Sequence, residues 1–171
     1  MGEAAAGNQA LDYMQRMIKG DAPGAPIMQT LGMRMVQAEV GHAVLEMEVG
    51  PHLANPTGTL HGGVLCDIAD AAMGATYITT LGPGESYTTL ELKINFMRPV
   101  RQGKIRADAR MLQGGRTIGL VECRVLDAEQ RLVAHVISTC MTLRGEQAQG
   151  RAVGRNEPAA AGVAGRSPQS D

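Results

Sequence analysis

The stretch of residues 61–79 constrains the chain more than any other. Val64, Leu65, Ile68, Ala69, Ala71, Ala72, Met73 and Ala75 cover nearly the whole circumference of a helix there, and the only acids are Asp67 and Asp70. A helix that is apolar all round has to be buried, so the remaining chain must wrap it. The rest reads as strands. Residues 88–97 alternate Leu90, Leu92, Ile94 and Phe96 against Glu91, Lys93 and Asn95. Residues 42–49 set Ala43, Leu45, Met47 and Val49 against Glu46 and Glu48, and residues 104–112 put Ile105, Ala107, Ala109 and Met111 on one face. Period-two alternation of this kind marks a half-buried strand. Gly114-Gly115 is a hairpin signal leading into a strand at 117–126, and residues 127–130 turn it into a last strand at 131–143. A further strand at 33–38 turns at Val40-Gly41. Short turns make antiparallel neighbours. The expectation is an α+β domain, with an antiparallel sheet of five to six strands wrapped around one long buried helix.

The ends differ from this middle. Residues 145–171 are rich in Gly, Ala, Gln, Arg, Pro and Ser, and besides alanine only Val153 and Val163 could be buried. That is too little to offset the entropy of ordering, so a disordered tail is expected over 145–171 and a similar segment over 1–8, with the folded domain at 9–144. Asn8 can cap a short helix bearing Leu11, Met14 and Ile18 on one face, broken by the Gly- and Pro-rich residues 20–26. A net charge of −1, from 16 basic against 17 acidic residues, gives nucleic acid or an anionic membrane nothing to bind. No apolar run reaches the roughly 20 residues of a membrane helix, and no basic-then-apolar leader is visible at the start. Three well-separated cysteines, Cys66, Cys123 and Cys140, exclude a disulfide scaffold and a CxxC motif. A reducing, cytoplasmic setting is expected. With no Trp, one Phe and three Tyr, base stacking is excluded as a main activity, and eleven Met help to fill the core.

Chemistry concentrates at residues 52–70, a polar Gly-rich loop running into the apolar helix. Gly62 and Gly63 at the helix start leave backbone N–H groups unobstructed, and the helix dipole adds positive potential. Such a terminus favours an anion, bound or developing in a reaction; equally, the glycines could serve only a tight loop-to-helix junction. Asp70 is the sharper signal. Ile68, Ala69, Ala71, Ala72 and Met73 around it predict a desolvated carboxyl, with Asp67 one turn away adding to the effect. That setting suits a general base or a nucleophile. Asp67 itself would stand at the mouth of the site. Eight residues separate Gly62 from Asp70, about 12 Å along a helix axis. One carbonyl cannot touch both, so joint action requires two chains, paired about a two-fold axis. A metal site is not expected: His52, His61, His135, Cys66, Asp67 and Asp70 lack ligand spacing. His61 and Cys66, five apart, fall on different helix faces and do not make a nucleophile–base pair.

Asn55-Pro-x-Gly58-x-x-His61-Gly62-Gly63, an acid nine residues after His61, and Thr89-x-Glu91-x-x-Ile94-x-Phe96-x-Arg98-Pro99 form a specific pattern. By it the chain resembles the hotdog-fold acyl-CoA thioesterases of the phenylacetate-degradation (PaaI) type, within the 4-hydroxybenzoyl-CoA thioesterase-like superfamily, over residues 27–143. The resemblance implies that Asp70 is the catalytic acid, activating water or attacking the thioester. It implies that the Gly62 N–H binds the thioester oxygen, that His61 supports this loop, that Asn55 lies near thioester and water, and that Thr89 supplies a positioning hydroxyl. Coenzyme A would meet Phe96, Met97, Arg98 and Pro99, and Gln113, Gly114, Gly115, Arg116, Thr117 and Ile118. No cofactor is implied beyond the coenzyme A of the substrate. The resemblance further implies a homodimer, usually paired into a tetramer. One departure is Gly74, where relatives that use Glu can carry a hydroxyl; this leaves Thr89 as the donor. His52 and Glu91 read as structural. A 3-hydroxyacyl-thioester dehydratase is disfavoured because the HF-x-x-x-P-x-x-P-G loop is missing. A non-catalytic acyl-CoA-binding module is disfavoured because an acid in an apolar pocket offers a neutral acyl chain nothing. Scarce aromatics favour an aliphatic or small aryl acyl group.

Overall fold

The structure, a computed structural model, describes residues 8–151; residues 1–7 and 152–171, and with them most of both expected tails, lie outside it. Two short helices, α1 (Gln9–Lys19) and α2 (Pro26–Leu31), precede β1 (Arg34–Glu39) and β2 (His42–Val49). The long helix α3 (Gly62–Ile78) follows, then β3 (Ser86–Phe96), β4 (Gly103–Gly114), β5 (Ile118–Asp127) and β6 (Leu132–Leu143). The six strands form one sheet in the order β1-β2-β4-β5-β6-β3, every pair antiparallel. The sheet curls around α3, as the apolar helix required. β3, connected to α3 by a short loop, crosses to the far edge beside β6, so β1 and β3 are the two edges.

The core is built from small residues where helix and sheet meet. Ala43, Leu45 and Met47 of β2, Ile105, Ala107 and Ala109 of β4, Val121, Cys123 and Val125 of β5, and Ala134, Val136 and Cys140 of β6 face Ile68, Ala69, Ala72 and Met73 of α3, all buried. Alanines on both sides allow the close approach that a chain poor in aromatics needs to fill space without voids. The outward positions of the same strands are polar. Glu46 pairs with Lys104 at 3.1 Å and Arg106 at 3.2 Å, and His42 meets Asp108 at 3.0 Å. Partial burial pushes the Glu46 carboxyl up, but the two cations outweigh it and hold it below its ordinary range.

Four features differ from the sequence expectation. First, α3 is not covered on every side. Gly63, Asp67 and Asp70 form an exposed stripe on its first half, with Val64, Cys66 and Ala71 half-buried beside it. Unpaired acids are too costly to bury, so the protomer's own sheet leaves that stripe open. Second, β3 does not alternate strictly. The register against β6 slips between Thr89 and Glu91, making Leu90 a bulge residue that is 51% exposed. Third, α2 is an additional element; its one and a half turns are too short for a periodic signal, and Pro26 at its first position starts it. Fourth, the chain stays ordered past Leu143. Gly145 (φ +57°) turns it into a 3-10 turn at Gly145–Ala148, and the Arg151 carbonyl accepts a 3.3 Å hydrogen bond from Ser86 Oγ. At the other end Asn8 caps α1, its side chain accepting from the Leu11 N–H, and it also donates to the Thr79 carbonyl beyond α3. Among the described residues no helix is long and apolar enough to cross a membrane.

Candidate active site

The loop entering α3 is tied off by its own side chains. Asn55 Oδ1 accepts from the Thr57 N–H at 2.9 Å, the Thr57 hydroxyl at 2.7 Å and the Thr59 N–H at 3.2 Å, while Asn55 Nδ2 donates to Thr59 Oγ1 at 2.9 Å. Arg101 reaches over the loop to the Gly58 carbonyl at 3.3 Å. Asn55 thus works first on its own loop, and one Nδ2 hydrogen is what it has left to offer water or substrate. His61 is the N-cap of α3: its Nδ1 accepts from the Gly63 N–H at 2.9 Å. The Val64 and Leu65 N–H groups both donate to the His61 carbonyl. Of the first-turn donors that a helix leaves unsatisfied, Gly62 alone has no protein acceptor among the described residues. The loop thus singles out the amide that the sequence resemblance points to.

Asp70 lies two turns further along the same helix, on the exposed stripe. Thr89 Oγ1 of β3 donates to its Oδ1 at 3.1 Å. The apolar shell expected around Asp70 is not supplied by its own chain: Ile68, Ala69 and Ala72 turn inward while the carboxyl faces out. Besides Thr89, the groups that feel the Asp70 charge are Cys66 on α3, Tyr87 on β3 and Cys140 on β6. Burial, with Asp67 and Asp70 adding to it, pushes the Cys66 thiol up, which keeps it protonated and a poor nucleophile. Burial also pushes up the Cys140 thiol, against hydrogen bonds from Ser138 and Thr89.

Phe96, the only phenylalanine, lies over the helix start. A Cβ on Gly62 would stand 3.1 Å from its ring, although the side chain is 55% exposed. Met97, Arg98 and Pro99 continue from it on the surface. The second candidate group for coenzyme A sits elsewhere. Gly114 and Gly115, at the β4–β5 turn, line a pocket of about 270 Å³ with Tyr77, Thr80 and Arg144, at the opposite end of α3. Gln113, Arg116, Thr117 and Ile118 are exposed around that turn. The two groups are separated by the length of the 17-residue helix, about 25 Å, and do not converge within one protomer. Neither Arg98 nor Arg116 is engaged by a carboxylate among the described residues. Glu91 holds Thr139, through its N–H at 3.0 Å and its hydroxyl at 2.7 Å, in keeping with a structural part. Among the described residues no three His, Cys, Asp or Glu side chains cluster closely enough to hold a metal ion.

The sequence reading passed over Tyr87. Its ring lies 5.7 Å from that of Tyr77 between α3 and β3, and its hydroxyl fills the space a Cβ on Gly74 would occupy. The signal was the glycine: a lone Gly inside an apolar helix marks the close approach of a neighbour.

Residues 57–134 match the family model described as thioesterase superfamily. SSO2140 of Saccharolobus solfataricus is 30% identical over 118 residues, spanning 69% of this chain and 84% of that protein. The 1,4-dihydroxy-2-naphthoyl-CoA hydrolase of Listeria monocytogenes is 29% identical over 114 residues, 67% of this chain and 91% of its own length. Among solved structures, a phenylacetic acid degradation-related protein from Ralstonia eutropha superposes with a TM-score of 0.68 at 30% identity, covering 75% of this chain and 98% of that one. The chain belongs to the thioesterase superfamily, with the hotdog fold expected from its sequence. It is a thioester hydrolase.

Proposed function

We propose that the protein hydrolyses an acyl-CoA thioester to the free acid and coenzyme A, as a PaaI-type enzyme whose sites form between two chains. Asp70 acts as general base or nucleophile, and the Gly62 N–H receives the thioester oxygen. The observation that carries this reading is the pairing of two features on one helix: a carboxylate held by a hydroxyl, and a single unclaimed amide about 12 Å away. In the general-base route water attacks the carbonyl carbon, Asp70 takes its proton, and negative charge collects on the oxygen at Gly62. The C–S bond then breaks, and the departing thiolate recovers a proton as the coenzyme A thiol. Only water and substrate are consumed, so no resident cofactor is needed.

The dimer follows from the same distance. β3 is an 11-residue edge strand whose outer side pairs with no strand among the described residues, and it carries exposed Leu90 and Phe96. Such an edge is a template for a second strand. A two-fold pairing there would lay the open stripe of one α3 against its twin and bring each Asp70 toward the partner's helix start. It would also give Asp70 the apolar cover its own chain lacks, and draw the two separated coenzyme A groups together across the interface. Pairs of dimers would make the tetramer.

A thiol-release screen with acetyl, medium-chain, phenylacetyl and hydroxybenzoyl thioesters of coenzyme A tests this reading. Free thiol is expected from at least one acyl class. An enoyl product without thiol, or tight binding of these esters with no turnover, would contradict it.

A further inference from the structure

We propose that Tyr87 is a positioning residue for the hydrolysis, a second hydroxyl that works with Thr89 to hold the water used by Asp70. The inference rests on the reading above, in its general-base form. Tyr87 and Thr89 are two apart on β3, before the Leu90 bulge, so both side chains leave the same face of the strand toward α3. Thr89 ends on Asp70 itself. Tyr87 ends one helical turn further on, against Gly74, where its hydroxyl takes the place of a side chain. Residues four apart on a helix stand about 5–6 Å from each other, so the phenol at Gly74 is a neighbour of the Asp70 carboxyl, whose charge it feels.

The hydroxyl is aimed there without another employer. The Tyr87 ring is fixed by Tyr77, whose own hydroxyl is bound to Thr142 Oγ1 at 2.9 Å. No group among the described residues hydrogen-bonds the Tyr87 hydroxyl. Tyr87 is half-buried and its hydroxyl is not sealed from solvent, so it has donor and acceptor capacity to spare for a water beside the reacting carboxylate. Burial, then the charge of Asp70, pushes the phenol well above its ordinary range, so it keeps its proton and serves as a donor. During the reaction it exchanges no proton. It orients the water whose proton passes to Asp70, and Gly74 is what makes room for it.

Tyr87→Phe removes the hydroxyl and keeps the ring. The test compares kcat, KM and the thermal midpoint of wild type, Tyr87→Phe and Asp70→Asn on the best substrate of the thiol-release screen. Tyr87→Phe is expected to lower kcat about tenfold or more, with KM within about twofold and the thermal midpoint unchanged, because no protein hydrogen bond is lost. Wild-type kcat in Tyr87→Phe would overturn the proposal, as would a raised KM at unchanged kcat, which would place the hydroxyl on the acyl group. A loss of activity matched by a fall in thermal midpoint would mark a structural role and overturn it too. Asp70→Asn separates the two levels: if it stays active, the reading of the site fails, and Tyr87 falls with it.

Discussion

Replacing Asp70 by Asn is expected to lower kcat by about 10²–10⁴-fold while leaving the fold intact, the range a positioned general base contributes. The substitution is nearly isosteric. Its Oδ1 can still accept the hydrogen bond that Thr89 Oγ1 now donates at 3.1 Å. The residue is exposed on the protomer, so no core packing changes, and stability should move by no more than about 0.5 kcal/mol. Loss of turnover with an unchanged melting curve therefore reports on chemistry. Thiol release measured beside a circular-dichroism melt decides it, and turnover near the wild-type rate would remove Asp70 from the reaction.

The second large effect is expected from Gly62→Pro. Proline lacks the one N–H that the first turn of α3 leaves without a protein acceptor, and removing one oxyanion donor typically costs about 10²–10³ in kcat. Few positions tolerate proline so well. Gly62 is the first helical residue, where proline is favoured. His61 before it is extended (φ −64°, ψ 135°), as a residue preceding proline must be. The nearest obstacle is the far end of the Phe96 ring, 3.1 Å from where a Cβ would stand, on a residue that is exposed on the protomer. A folded, substrate-binding, nearly inactive protein is expected, measured as kcat against KM. Full activity in a folded Gly62→Pro protein would show that this amide does not receive the oxygen.

The architecture was legible because its signals are periodic. The all-round apolar stretch at 61–79 could only be wrapped, and the alternation at β2 and β4 turned Ala43, Leu45, Ala107 and Ala109 inward, as found. What escaped was aperiodic. A bulge adds one residue without any side-chain mark, so Leu90 was assigned to the inner face and is exposed. The surroundings of Asp70 depend on how far a curled sheet reaches around a helix, which local pattern does not encode. Gly74 and Tyr87 are complementary across two elements, and neither residue alone names the other. Arg151 and the turn before it were read as tail because their anchors are backbone and ionic: the Ser86 hydroxyl, and the Glu85–Arg144 pair at 2.6 Å. The candidate site, by contrast, was compressed into one loop and one helix, and there residue types and spacing already led to the proposed need for two chains.

That need is open to a direct measurement. Asp70→Asn and Gly62→Pro protein are each prepared, dissociated, mixed in equal amounts and allowed to reassociate, and thiol release is followed. Random pairing makes half the dimers mixed, and each mixed dimer holds one site with both lesions and one with neither. Two nearly inactive proteins should therefore combine to about a quarter of wild-type activity. A mixture no more active than its components, in dimers shown to have exchanged, would mean that carboxylate and amide do not meet across the interface.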